Sequence, residues 1–398
     1  MNQLKNKRSR ILFLVFLFCM AINIILIFYL GGSMRDLLGQ RKICAYTLKG
    51  YDPFALAISG EIPIKELGDV PSDYSTVPWA CILGNIFYPS FITFTAAKVY
   101  VTILQLVVCI LATWLVYNKC KDYVKNQSVL LIALSLLGHF CFVYSWSLGN
   151  NGAVISCLII SAICLADDHP YLAGALIGIS MVKPQNVAIV CIVFLLNKKW
   201  KPLFVGAAMD ILGWIATSVM TTTPFMTLLS ECFVPATSAE RHYYGVLSPL
   251  SFFGVAENIV LLMNAVVGVV YTYILWRYFK QKGVQNTIET YVPAFIASTI
   301  WTYKNGSDYM MVVLATILFI YICLDESTTL RDFWLSIGCI LCLQMSRLGV
   351  NVMQKIFNSY FLRTLLKSAE GMLLMGIGVI FCVLWVKYKG SRSYGVKK

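Results

Sequence analysis

The chain has 398 residues, 59% of them apolar and 13% charged, with a mean hydropathy of +0.73 and a formal net charge of +13. Soluble domains are about a quarter charged, so that class is excluded, and apolar runs of membrane length recur from end to end. The basic excess does not mark a nucleic-acid binder, because most Lys and Arg sit in short connections between apolar runs and no basic face with interleaved aromatics lies elsewhere.

A basic start (Lys5, Lys7, Arg8, Arg10) leads into apolar residues 11–30 with no small-residue cleavage site. It reads as a signal anchor with the N-terminus in the cytoplasm. Residues 31–90 then form an external loop holding six of the nineteen acids: Asp36, Asp52, Glu61, Glu66, Asp69 and Asp73. Connections of this length are functional or disordered, and the recurring Tyr, Trp, Phe and Leu argue against disorder, so the loop is expected to wall an active site. Within it, Leu37, Leu38, Ile43 and Leu48 alternate with Gln40, Arg41, Lys42 and Lys49, the pattern of an interfacial helix over 36–49.

Further spans are predicted at 91–117, 129–148, 154–166, 171–182, 187–196, 202–221, 255–276, 291–303, 309–324, 333–349 and 371–388, with a second external loop at 222–254. Pieces 171–182 and 187–196 are short enough to form a re-entrant hairpin instead of two crossings. Residues 347–367 alternate apolar with basic positions and read as an outer interfacial helix. The expected fold is all-α: one integral-membrane domain over 1–398, a helical bundle of about twelve transmembrane helices in the plasma membrane, both termini cytoplasmic. No internal repeat is visible, which argues against an inverted-repeat transporter.

Asp36 follows the first span closely, where an acid serves as a general base toward a lipid-borne substrate or as a helix N-cap. Asp52 precedes Pro53, ordinary turn chemistry. Lys183 lies in a Pro-broken apolar piece, where a charge must be paired, face water or hold an anion. Arg241 and His242, beside two tyrosines, suit phosphate or sugar contact or an interfacial aromatic belt. Asp308 reads as a cap or a substrate contact, and Asp210, inside span 202–221, as an internal polar contact. The fourteen Cys show no ligand spacing, although Cys44 and Cys81 share the external loop and could pair there. The three His are too dispersed for a metal site, and Glu66, Asp69 and Asp73 have no diagnostic spacing. No cofactor is expected, and a divalent metal is possible without being indicated.

Asp36, a following apolar–basic helix and Gly50-Tyr51-Asp52-Pro53-Phe54 resemble the start of the polyprenyl-phosphate-sugar-dependent membrane glycosyltransferases of GT-C fold. More closely, they resemble the mannosyltransferase-like glycosyltransferase family 87. Tyr74 to Trp79 matches that family's Tyr-Pro-Pro-Trp-like element, Gly149-Asn150-Asn151 its Gly-Gln-x-Asn-like turn, and Lys183-Pro184-Gln185 its Lys-Pro. Lys304 to Tyr309 matches its late turn ending in Asp-Tyr. Val77 replaces the first Pro, Asn150 replaces the Gln, and no His precedes Asp308, so no histidine role carries over to the late loop.

The resemblance implies a GT-C-like bundle that moves one sugar, mannose or another hexose, from a polyprenyl monophosphate donor to a glycan or glycolipid acceptor. Transfer would invert the anomeric carbon on the extracytoplasmic face, among membrane lipids, with Asp36 as base. Arg41, Lys42, Lys183, Arg241, His242 and Lys304 are the basic candidates for the phosphate, and Asp52, Trp79, Asn150, Gln185 and Asp308 the further substrate contacts. Two other readings stay open: a lipid-linked oligosaccharide flippase, and a polysaccharide polymerase or ligase using diphosphate-linked chains.

Overall fold

A computed structural model describes residues 2–30, 34–70, 77–121, 128–238, 245–284, 287–301, 306–356 and 359–390. Every regular element among them is helical. Seven stretches are long and apolar enough to cross a membrane: Lys7–Leu26, Phe94–Cys120, Trp200–Thr221, Glu257–Gln281, Ser307–Leu324, Leu330–Ile356 and Tyr360–Lys389. The chain is therefore an all-α polytopic membrane protein.

The expected twelve spans reduce to those seven, one bent pair and four shorter apolar helices. The first helix, α1 (Asn2–Leu30), leads to α2 (Arg35–Leu48), α3 (Pro53–Ser59) and α4 (Ala80–Leu83), and then to the long α5 (Phe94–Cys120). The predicted span 129–148 is broken by 52° between α6 (Ser128–Leu137) and α7 (Phe140–Leu148). The break falls at Gly138 and His139, whose Nδ1 accepts from the Cys141 N–H at 3.1 Å and starts a new helix.

Next come three short helices, α8 (Gly152–Leu165), α9 (Pro170–Ser180) and α10 (Pro184–Leu196). At 1.5 Å per residue each covers only about 16 to 21 Å, less than the ~30 Å of a hydrocarbon core. Pro184 sits at the first position of α10 and fixes the break: it cannot continue α9 but is preorganised to begin a helix.

The second half comprises α11 (Trp200–Thr221), α12 (Phe225–Ser238), α13 (Glu257–Gln281), the short α14 (Val292–Ala297), α15 (Val313–Leu324), α16 (Leu330–Ile356) and α17 (Tyr360–Trp385). The stretch Ser307–Leu324, a 3-10 turn running into α15, is buried along its whole length. It is packed by α1, α6, α14, α16 and α17, and it is apolar on every side because no side faces water or lipid.

Residues 347–367 are not a separate interfacial helix, since α16 continues to Ile356 and α17 begins at Tyr360. At the start of this stretch, buried Arg347 donates to buried Glu370 of α17 at 3.0 Å. Helices α9 and α11 approach closely through Gly174, Gly178 and Gly206, the small-residue contact that lets membrane helices gain packing energy.

The first external loop folds as α2 to α4, and α12 of the second loop packs onto it. Ile43, Tyr46, Phe54, Leu56, Val70 and Cys81 share a second apolar cluster with Leu228 and Cys232 of α12. Cys44 and Cys81 are buried free thiols, so the disulfide considered from their shared loop is absent. Burial pushes the Cys44 thiol up to about 12, which keeps it unreactive.

Candidate active site

The predicted first acid lies in the first turn of α2, but it does not cap that helix. Met34 occupies the N-cap in the left-handed region (φ 45°), fixed by its N–H to Ser147 O at 3.0 Å. That leaves the Asp36 carboxylate to turn inward, where it is 7% exposed and its Oδ2 accepts from Asn150 Nδ2 at 2.8 Å. Its Oδ1 lies 3.8 Å from Arg35 Nε, a mostly exposed guanidinium.

Asn150 is delivered by a turn whose two glycines each have a steric reason. Gly149 ends α7 with φ 66°, and a Cβ there would stand 2.6 Å from Leu37 Cβ. At Gly152 a Cβ would meet Ser307 O at 2.7 Å, so the missing side chain lets the start of α8 touch the 3-10 turn before α15.

Across that contact Asn150 Oδ1 accepts three donors: Lys183 Nζ at 2.6 Å, Ser307 Oγ at 2.9 Å and the Gly152 N–H at 2.9 Å. With the oxygen so occupied, the amide nitrogen has to face Asp36. The backbone carbonyl of Asn150 accepts from Ser145 Oγ and Gln105 Nε2, which fixes the turn itself.

Lys183, in the break between α9 and α10, also donates to Asp308 Oδ1 at 2.7 Å, and Asn186 Nδ2 reaches the same oxygen at 3.2 Å. The Asp308 side chain is 1% exposed and that of Lys183 is 13% exposed. A carboxylate so enclosed is tolerable only with a cation against it. Asp308 is not the cap of α15, whose N-cap is Val312. Asp36, Asn150, Lys183 and Asp308, spread over 273 positions of sequence, thus form one connected polar chain of two carboxylates bridged by an amide and an ammonium.

Trp79 stands behind this chain, its Nε1 donating to Met181 O at 2.8 Å, two residues before Lys183. Gln185 contributes its backbone carbonyl to Trp301 Nε1 at 2.7 Å. The other nominated groups lie apart. Asp52 caps α3 through Oδ1 to the Phe54 and Ala55 N–H groups. It also neighbours Glu231 of α12, whose carboxyl is raised by burial and then by the Asp52 charge.

Arg41 spans the carbonyls of Pro89 and Ile92 and lies 5.6 Å from the Phe94 ring centroid, tying α2 to the start of α5. Lys42 pairs with Asp69 at the surface. Arg241, His242 and Lys304 lie outside the described residues, as do Tyr74, Ser75 and Thr76 of the Tyr74–Trp79 element. The Asp210 side chain has a buried Oδ1 with no hydrogen-bond partner among the described residues, so the internal contact expected for it is not made there.

Four participants escape the sequence reading. Ser307 and Asn186 stand one position from nominated residues. Tyr88 is buried against the site, where burial and then the Asp36 charge raise its phenol well above the ordinary value. Asn151 is 2% exposed, and its amide makes no hydrogen bond to any described residue. Asn151, as the second Asn of its turn, and Ser307, inside the Lys304–Tyr309 turn, had a signal; the partners of the others are set in three dimensions. Among the described residues no three His, Cys, Asp or Glu side chains converge on a metal position.

The arrangement can hold a carboxylate in one orientation, charge-balanced from behind, beside a buried amide with unused hydrogen-bonding capacity. Such a carboxylate accepts a proton from a hydroxyl brought to it. Residues 85–279, close to half of the chain, match the sequence model of glycosyltransferase family 87. No curated protein and no solved structure matches the chain.

Proposed function

Taking the resemblance to glycosyltransferase family 87 as premise, we propose that this membrane protein is a hexosyltransferase. It moves one sugar from a polyprenyl monophosphate to a glycan or glycolipid acceptor on the extracytoplasmic face, with both termini in the cytoplasm. The observation that carries the reading is the hydrogen bond from Asn150 to buried Asp36, held in place by Lys183 and Asp308 behind it.

Asp36 takes the proton of the acceptor hydroxyl as that oxygen attacks the anomeric carbon from the face opposite the phosphate, which inverts the centre. The phosphate departs with the bonding pair and needs a cation, not a proton. Asn150 fixes the lone pairs of the carboxylate, and a bound reactant aligned in this way gains much of its rate from orientation. Lys183 keeps Asp308 and the Asn150 carbonyl satisfied, so that Asp36 remains the carboxylate turned to substrate. The Asn151 amide is placed to receive a sugar hydroxyl.

The test is Asp36→Asn. The variant keeps expression, membrane insertion and melting temperature, and loses transfer of labelled sugar by about 10³-fold or more, the scale of general-base and positioning effects together. Undiminished transfer would end the assignment of Asp36.

A further inference from the structure

The leaving phosphate of the proposed transfer needs a cation, and the basic side chains around Asp36 differ in what they offer it. Lys183 is enclosed and bonded to Asp308 and Asn150, Arg41 is bonded to two carbonyls, and Lys42 pairs with Asp69. The cation that contacts the base itself is Arg35, its neighbour in sequence, with Nε 3.8 Å from Asp36 Oδ1.

The two partners in that contact have opposite settings. The Asp36 side chain is 10% exposed and held on its other oxygen by Asn150 Nδ2 at 2.8 Å, whereas the Arg35 side chain is 70% exposed. Both sit in the first turn of α2, and the N-cap of that helix, Met34, is tied to Ser147 O at the end of α7. The backbone under the pair and the carboxylate are therefore fixed, and the exposed guanidinium is the partner with room to move.

A separation of 3.8 Å is longer than a hydrogen bond, and an ion pair with one partner in solvent contributes little. A phosphate offers the same guanidinium two parallel charge-assisted hydrogen bonds, the geometry that an Arg fork matches best. An arriving phosphate therefore outcompetes the carboxylate for Arg35. The direction of the swing follows from the chemistry. Attacking and leaving oxygens lie on opposite sides of the anomeric carbon, so the phosphate sits a sugar ring away from Asp36, and a long side chain anchored next to the base spans that gap.

We infer that Arg35 serves two anions in turn: its guanidinium balances Asp36 until a lipid donor binds, then turns to the phosphate of that donor. As the acceptor proton passes to Asp36 and the bond from the anomeric carbon to the phosphate oxygen breaks with its electron pair on that oxygen, Arg35 meets the charge that appears there. The base sheds its cation only with donor in place, which makes the donor the first substrate to bind. The inference rests on the proposed transferase reading for the identity of donor and base, and both residues lie outside the stretch 85–279 matched by the family.

Binding of farnesyl monophosphate to the full-length protein in detergent reads the phosphate contact without any transfer step. Arg35→Gln is expected to raise Kd by about tenfold or more, as loss of a charge-assisted fork does, and Arg35→Lys, which keeps the charge without the fork, to recover part of it. Lys49→Gln, the same change of charge at the exposed far end of α2, is expected to leave Kd within about twofold. Inorganic phosphate and phosphatidylglycerol in the same micelles are expected to displace the probe only weakly. In NMR of isotope-labelled arginine, the Nε resonance missing from Arg35→Gln is expected to move when farnesyl monophosphate is added, and to move in Asp36→Asn without it.

Wild-type affinity in Arg35→Gln, at unchanged melting temperature, overturns the inference. So does an equal loss in Lys49→Gln, which would mark a general field effect. Equal displacement by phosphatidylglycerol overturns it as well, making Arg35 a headgroup contact, and a resonance that ignores either anion ends the exchange between them. Full transfer by Asp36→Asn would instead refute the transferase mechanism and leave the phosphate contact standing, so the two failures are told apart.

Discussion

Replacing Asn150 by Asp alters one terminal group and tests the whole arrangement. The nitrogen that donates to Asp36 Oδ2 at 2.8 Å becomes a carboxylate oxygen facing a carboxylate. Two unit charges about 4 Å apart repel by ~4 kcal/mol at an effective dielectric near 20, which is about three pK units. Lys183 Nζ, 2.6 Å from the far side of residue 150, returns part of that repulsion.

The two carboxylates then titrate as one unit that keeps a proton over a range where Asp36 alone had lost it. Because the base works only when deprotonated, the acid limb of the transfer rate moves up by about one to three pH units. Below it, transfer falls about tenfold per unit, and above it the rate recovers. Asn150→Ala supplies the control: it removes the hydrogen bond without adding charge, so transfer drops by about 10²-fold at every pH, through lost orientation. The assay is a pH–rate profile with radiolabelled polyprenyl monophosphate sugar, beside melting curves of each variant. An acid limb in Asn150→Asp that coincides with the wild-type limb would show that residue 150 does not touch the base, and the mechanism would fall with it.

Lys183→Met strands the enclosed Asp308 carboxylate and is expected to lower stability by about 3–5 kcal/mol, whereas Lys183→Met combined with Asp308→Asn recovers most of it; a double-mutant cycle on melting in micelles decides, and independent effects would refute the pairing. Gly174→Val sets a Cβ 2.5 Å from Val205 Cβ and 2.7 Å from Pro202 O, so α9 and α11 are forced apart at a cost of about 1–3 kcal/mol. Gly376→Val, where a Cβ meets nothing within 4 Å, is the control and should melt like the wild type.

Composition and apolar runs reveal the class of fold because lipid imposes length and hydropathy on every crossing. Helix length is less legible. Residues 171–196 do read as two short pieces split at Lys183-Pro184, as α9 and α10 are, but nothing in the run 129–148 announces its 52° break at Gly138 and His139. Asp36, Asn150, Lys183 and Asp308 were each nominated from separate motifs, and their mutual hydrogen bonds could not be read from a linear pattern. Nor could the destination of Arg41, whose guanidinium lies in the basic stretch of α2 yet is spent on carbonyls 48 and 51 positions later. The pairing of Arg347 with Glu370, 23 positions apart, was likewise not legible: the predicted helix over 347–367 is instead the end of α16 and the start of α17.

The stretch Ser307–Leu324 has a consequence for biogenesis. Wrapped by helices drawn from both halves of the chain, it completes its packing only after α16 and α17 have been synthesised. Asp308 and Ser307, which complete the setting of Asp36, begin this stretch, so the site keeps its final packing only once the last helices enclose it. Ribosome-stalled fragments ending before residue 330 should therefore be inserted yet inert.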